Sequence, residues 1–259
     1  MKLVVFSDAK AMDGYGAEHG LSFLIEVDDQ QTLFDTGASD LFLLNARKMG
    51  MDLSEVDQIV LSHGHWDHGN GLPFLDNLPL ICHPGCFVKR FRKSRHGELG
   101  LVLSQAEIEA KFELRTSTEA LKLSEHLYFL GEVPRINDFE ARSTKYLLEN
   151  GEEDFIMDDS GLACITDKGL IVISGCAHSG ICNIIQHAKA VTGIDRVEAV
   201  VGGFHLSVIN EQTRRTIEFI RDIGVKRVLP SHCTRDPALG MFHEQFGVHE
   251  LRAGMKLFF

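Results

Sequence analysis

The sequence has no apolar run near the roughly 18 residues needed to span a bilayer. It also lacks a CxxC pair that could seed a structural zinc knuckle, and it shows no internal repeat or low-complexity tract. Positive charge is scarce: 26 Lys and Arg stand against 37 Asp and Glu, a formal net charge of -11. Duplex nucleic acid is bound by cationic surface, so a nucleic-acid partner is disfavoured, and no membrane partner is expected. Leu3-Val4-Val5-Phe6 is too short for the core of a secretory signal and suits a first strand. Six cysteines in 259 residues, Cys82, Cys86, Cys164, Cys176, Cys182 and Cys233, do not make a disulfide framework. Without a secretory signal they read as reduced thiols, and the expected location is cytoplasmic. Nothing in the sequence specifies an oligomeric state.

What is present is ordinary globular material, 44% hydrophobic and 24% charged, long enough for a sizeable core. Leu3–Phe6, Leu21–Val27 and Thr32–Phe34 read as strands, with a hairpin turn at Asp28-Asp29-Gln30. An amphipathic stretch from Asp40 to Met49 predicts a helix stopped by Gly50. Gln58–Leu61 reads as a buried strand, Ser104–Lys111 as a helix and Leu127–Leu130 as a strand. Leu162–Thr166 and Leu170–Ser174 form a hairpin over Asp167-Lys168-Gly169. A helix from Ile181 to Val191, a strand Val197–Val201, a helix capped by Asn210 and a strand Val225–Leu229 follow. Hairpins followed by alternating strand and helix predict an α/β layered fold. The expected organisation is one domain over 1–259, with a lid or insertion at about 82–142.

The unusual abundance is histidine, with 13 residues. Four of the chemically relevant positions form His63-Gly64-His65-Trp66-Asp67-His68, just past a hydrophobic strand, where loops display functional groups. In an extended segment residues two apart face one side, so His63, His65 and Asp67 can converge, with His68 on the next turn. Neutral imidazoles with one carboxylate suit zinc, iron or manganese. Gly64 and Gly69 remove side-chain bulk where the backbone must bend.

This pattern resembles the metallo-β-lactamase superfamily. The HxHxDH motif carries the likeness, with Phe34-Asp35-Thr36-Gly37 before it and Pro230-Ser231-His232-Cys233-Thr234 late in the chain. The resemblance implies a four-layer αββα sandwich of two mixed β-sheets flanked by helices. It also implies two divalent metal ions, zinc first among them. By resemblance His63 and His65 belong to one ion, and Asp67, His68 and His232 to the other. Where the superfamily carries a bridging aspartate at a strand end, this chain has Gly175-Cys176-Ala177-His178. His178 is the candidate to complete the first site. Cys176 is an alternative ligand or a small buried hydrophobe, and Asp158 or Asp159 an alternative carboxylate.

Glu18-His19-Gly20-Leu21-Ser22, the Ser174-to-Ile181 segment, Gly202-Gly203-Phe204-His205-Leu206, Ser231-His232-Cys233-Thr234 and Gly131-to-Arg135 occur together. This set resembles the group named for a dihydropterin synthase of methanopterin biosynthesis. The implied activity is that of a metal-dependent hydrolase acting on a phosphoryl or carboxylic ester of a small anionic molecule, with phosphorylated and pterin-like molecules as the candidate partners. The alternatives are a dihydropterin transferase or synthase that releases diphosphate, and a non-catalytic metal- or ligand-binding protein of the same fold. Asp67 would ligate and orient the attacking water, and His205 would stabilise developing negative charge. His19, Trp66 and Arg135 are the candidate substrate contacts. The basic run Lys89 to His96 reads either as anion capture near the cleft or as a solvated face. His83, His96, His126, His187, His243 and His249 have no ligand spacing.

Overall fold

Three separate apolar clusters define the layering of this chain, seen in a computed structural model that describes residues 1–247 and 250–259. Val248 and His249 lie outside the described residues, as do the side chains of Arg95 and His96. The central cluster joins Leu3, Val5, Phe23, Ile25 and Phe34 to Leu162, Ile171, Ile173, Ala199 and Val201. These are alternate residues of strands from two sheets, and period-2 alternation turns the other set outward. On one outer face Val4, Phe6, Leu24 and Leu33 pack with Phe42 and Ala46 of the helix Leu41–Lys48. On the other, Val172 and Val200 pack with Ile181, Ile184, Ile217, Ile220 and Phe242. The residues of this second helical layer come from the helices Ile181–Thr192, Glu211–Asp222 and Ala238–Phe246. Helix, sheet, sheet, helix is the expected four-layer αββα sandwich.

The first sheet runs in the order Lys256–Phe258, Lys2–Ser7, Ser22–Val27, Gln30–Phe34, Gln58–Val60, Pro79–Cys82, Glu113–Thr116. It is antiparallel up to Gln30–Phe34 and parallel beyond. The second runs Arg227–Ser231, Val197–Gly203, Gly169–Ser174, Gly161–Thr166, Leu127–Phe129, Leu121–Lys122, with the first two pairings parallel. Asp28 and Asp29 both take positive φ, 55° each, the backbone of the tight hairpin turn their sequence predicted. Five strands, ending at Phe34, Val60, Ser174, Gly203 and Ser231, deliver their C-terminal ends to one edge of the sandwich.

The stretch 82–142 is divided among three places. Glu113–Thr116 extends the first sheet, and Leu121–Lys122 and Leu127–Phe129 extend the second, with Leu127 and Phe129 in the central core. The rest contributes Arg90–Arg92 and Arg95–Glu98 to a small third sheet, completed by Tyr146–Leu148 and Glu153–Asp154 from beyond that stretch. The basic run separates accordingly. Lys89 and Lys93 pair outward with Glu149 and Glu153, while Arg90, 1% exposed, holds Asp158 at 2.8 Å and Asp154 at 3.2 Å. The helix Ala238–Phe246, for which the sequence carries no clear signal, follows Pro237 and includes Gly240; Phe242 anchors it edge-on to Phe204 at 5.5 Å. No helix among the described residues is long and apolar enough to cross a membrane.

The helix Ile181–Thr192 starts at Gly180, which has no capping side chain. Buried Glu140 serves instead, accepting from the N–H groups of Cys182 and Asn183 at 3.0 Å each. A carboxylate at a helix N-terminus satisfies orphan donors and complements the helix dipole. Glu140→Ala is therefore expected to lower unfolding stability by about 2–4 kcal/mol, read as a shift in the urea midpoint, with Glu140→Gln losing less.

Candidate metal centre

The strand ends that meet at one edge carry the histidines, and their backbones are unusual there. Asp35, Ala177, His205 and His232 have φ of 57°, 57°, 51° and 53°. Non-glycine residues rarely adopt this left-handed region, which concentrates at functional sites. Here it turns each chain sharply out of its strand and aims the following groups at a common point. Gly64 is required by packing against protein rather than against ions: a Cβ there would lie 1.9 Å from the Cys86 carbonyl oxygen.

His63, His65 and His178 form one group, with ligand atoms all within 4.8 Å of one another. His63 Nε2 and His65 Nδ1 face each other at 2.9 Å. A second group of the same compactness is His19, Asp67 and His232. Asp67 Oδ2 lies 3.3 Å from His19 Nε2, 3.4 Å from His232 Nε2 and 3.9 Å from His68 Nε2. Thus the six positions expected as ligands, His63, His65, Asp67, His68, His178 and His232, do converge. His19, expected as a substrate contact, converges with them: its ring stacks on His232 at 4.9 Å, interplanar 10°. Cys176 Sγ sits 3.2 Å from His68 Nε2 and groups with His63 and His68, and also with His205 and Cys233.

The donor set fits divalent cations. His65 Nε2, His178 Nε2 and both ring nitrogens of His232 have no hydrogen-bond partner among the described residues, although these atoms are buried. Buried polar atoms are normally satisfied, and an imidazole lone pair without a donor is the form that binds zinc, iron or manganese.

Buried carboxylates hold the rings in place. Asp35 Oδ2 meets His68 Nδ1 at 2.7 Å and accepts from Ser62 Oγ at 2.7 Å, while Oδ1 accepts from Ser62 N at 2.7 Å. Ser62 Oγ in turn contacts His63 Nδ1 at 2.9 Å. Asp158 Oδ2 accepts from Gly64 N at 2.7 Å and from Arg90 at 3.0 Å, tying the histidine loop to the small sheet. Asp8 accepts from His232 N at 3.2 Å. Asp8 did not stand out in the sequence, while Asp35 was named only within the Phe34-Asp35-Thr36-Gly37 segment and Arg90 only within the basic run; their partners lie across long chain separations.

Two sequence expectations need correction. Arg135 does not reach the cleft: its guanidinium donates to the carbonyls of Phe155 and Ile156, at 2.5 and 3.0 Å, and contacts Met157, so its fork is spent on a loop. Asp159 joins no ligand group among the described residues. Its Oδ2 accepts from Ser179 N and Oγ, at 2.8 and 2.5 Å, which secures the turn carrying His178.

Above the histidines lies a cleft of about 510 Å³, lined by Trp66, Arg92, Lys145, Tyr146, His205 and Arg235 together with the exposed edges of the metal-centre residues. Trp66 and His205 thus both line the cleft, and His205 Nδ1 has no hydrogen-bond partner among the described residues. Tyr146 was not anticipated; its ring lies 5.0 Å from His65 and 5.4 Å from His178.

Burial and charge act on these groups in opposite ways. Burial lowers the His63 and His178 imidazoles well below their usual range and pushes His65 down to about 3. Burial also opposes charging His68, but Asp35 and Asp67 outweigh it and lift that ring to about 9. Asp67 is held below the usual carboxylate range because its cationic neighbours, His68 first, overcome burial. In the metal-free chain the unfolded state binds more protons than the folded state wherever a histidine pKa is depressed. His65 thus contributes stability present above about 6.5 and lost as pH falls toward about 3. The His68 contribution is present below about 6.5 and lost as pH rises toward about 9. Urea midpoints of chelator-treated protein should decline on both sides of pH 6.5, and a monotonic profile would contradict this assignment. Asp35→Asn, which weakens the orientation of His68, should lower metal affinity by about 10–100-fold, measured by competition with a chromophoric chelator.

Comparison with known proteins places the chain among relatives of the same fold. Residues 15–86 match the Metallo-beta-lactamase superfamily. The chain is 35% identical over 268 aligned residues to 7,8-dihydropterin-6-methyl-4-(β-D-ribofuranosyl)-aminobenzene-5′-phosphate synthase of Methanocaldococcus jannaschii, covering 93% of this chain and 91% of that one. The solved structure of Tm1679, a metal-dependent hydrolase of the β-lactamase superfamily, superposes with a TM-score of 0.89 at 31% identity, covering 100% of this chain and 99% of that one. Zn2+-bound PqqB from Methylobacterium extorquens shares the fold, with a TM-score of 0.58 at 14% identity and full coverage of both chains.

Proposed function

This chain belongs to the metallo-β-lactamase superfamily, and from that premise we propose that it is a binuclear metal-dependent hydrolase of a phosphoryl or carboxylic ester in a small anionic molecule. The observation that carries this reading is the pair of adjacent ligand groups, with unpartnered buried imidazole nitrogens, on the floor of a small-molecule-sized cleft. His63, His65 and His178 would hold one ion; Asp67, His68 and His232 would hold the other, with His19 at its edge. Two divalent ions, most simply zinc given the nitrogen-rich donors, supply Lewis acidity and make water nucleophilic near neutral pH.

The remaining work falls to protein atoms. Asp67, kept ionised, accepts a hydrogen bond from the attacking water at a carboxylate oxygen and so orients it. His205 Nδ1, unpartnered in the cleft, is free to stabilise negative charge that develops on the substrate. Tyr146 and Trp66 wall the cleft and exclude water from the reacting bond.

A second reading is favoured by the 35% identity to the methanogen synthase. There the same ions would assist departure of diphosphate from a dihydropterin while a new bond forms to an aminobenzene partner, without attack by water. A third, a non-catalytic binding protein, is motivated by Cys176 at the strand end. Incubation with dihydropterin diphosphate and the aminobenzene phosphate separates the first two: a joined product favours transfer, and release of phosphate or of a hydrolysed ester favours hydrolysis. Elemental analysis should find two metals per chain, falling on His178→Ala and unchanged on Cys176→Ala; a single metal in the parent excludes the binuclear reading. His65→Ala should cut turnover at least about a hundredfold, and absence of any turnover in metal-loaded protein would leave the binding reading.

A further inference from the structure

Among the described side chains of the basic run Lys89 to His96, Arg92 lines the cleft. Its register partner across the small sheet is Tyr146, so Lys145, one residue earlier, stands beside it, and Lys93 N donates to the Lys145 carbonyl at 2.9 Å. Arg235 joins the same cleft from the loop after His232, where its Nη2 lies 3.2 Å from His19 Nδ1. Among the described residues none of these three cations has a carboxylate within salt-bridge distance, and Arg92 Nε is buried without a partner. In a chain of net charge -11, three cations gathered around one cleft are a local reversal of charge. The Arg92 guanidinium sits 6.0 Å from the Tyr146 ring centroid, and that ring sits 5.0 Å from His65. One aromatic ring therefore separates the cationic group from the metal centre.

We propose that Arg92, Lys145 and Arg235 form a phosphate-binding subsite beside the metal centre, so that the cleft takes a small molecule anchored by a phosphate group distinct from its reacting bond. The proposal deepens the functional reading above and rests on it for the reaction, though not for the binding itself. Two arginines offer planar forks that match phosphate oxygens in pairs, and the lysine adds a point charge. The small sheet gains a role from this: it carries Arg92 and Lys145 to the rim, while Arg90 on the same strand is locked into Asp158 and fixes the strand to the histidine loop. Exposed Glu98 also lines the cleft. It faces no cation within salt-bridge distance among the described residues, and its charge opposes anion binding.

The test uses the metal-loaded protein and inorganic phosphate as the probe, titrated by calorimetry, with metal content measured before and after. Arg92→Ala should raise the Kd about tenfold or more, as expected for loss of charge-assisted hydrogen bonds. Arg92→Lys should fall between, because charge is kept and the fork lost. Lys145→Ala and Arg235→Ala, both at exposed positions, should each weaken binding with metals retained. Glu98→Gln should leave it equal or tighter. His65→Ala, depleted of metal, should still bind phosphate through the three cations. Wild-type affinity in all three cation variants, or loss of phosphate binding together with the metals, would overturn the subsite. Failure of every turnover assay alongside Arg92-dependent phosphate binding would instead discard the hydrolase reading and keep the subsite.

Discussion

Imidazoles crowded together at the buried end of a sandwich are the constraint on which the rest of this structure depends. His63 and His68 are fully buried, with ring centroids 4.2 Å apart, and His65, His178 and His232 are packed around them. Such rings cannot all be protonated, and when neutral they leave lone pairs facing one another. Burial favours neutrality for His63, His65 and His178, while Asp35 and Asp67 favour charge on His68. An arrangement of this kind persists because the surrounding fold over-determines it, and it is resolved chemically when cations take up the lone pairs.

The over-determination comes from a ring of carboxylates behind the histidines. Asp35 orients His68, and through Ser62 it also steadies His63. The adjacent pair Asp158 and Asp159 divides its work: one binds the Gly64 amide and Arg90, the other binds Ser179 beside His178. A single short segment thereby holds two ligand loops that are more than a hundred residues apart. Asp8, on the end of the first strand, does the same for His232. Supporting partners of this sort fix ring orientation and tune ligand basicity.

Much of the frame was legible in the sequence because it depends on local periodicity. β-branched and aromatic residues marked the strand Ser22–Val27, the Asp167-Lys168-Gly169 turn marked Gly161–Thr166, and Asn210 marked the start of a helix that begins at Glu211. The HxHxDH spacing placed four site residues together because they share one strand end. His178 and His232 were candidates through the family resemblance, and the strands before them reach the same edge by parallel pairing. Arg135 misled because its motif position gave no sign that the Phe155 and Ile156 carbonyls would occupy its guanidinium. Tyr146, Arg92 and Arg235 could not be read as neighbours, since the small sheet that unites the first two joins segments more than fifty residues apart.

The sequence by itself determined the residue chemistry: histidines after strands as candidate ligands, one cysteine at a strand end, and an acidic overall balance. The tertiary structure alone decided which groups share a space. It drew His19 into the metal centre, sent Arg135 away from it, buried Arg90 as a clamp and turned Arg92 into the cleft. The physical reason is that ligand convergence and charge pairing depend on distance in space. Distance is set by sheet register and loop turns, and contacts across long chain separations leave no periodic trace in the chain.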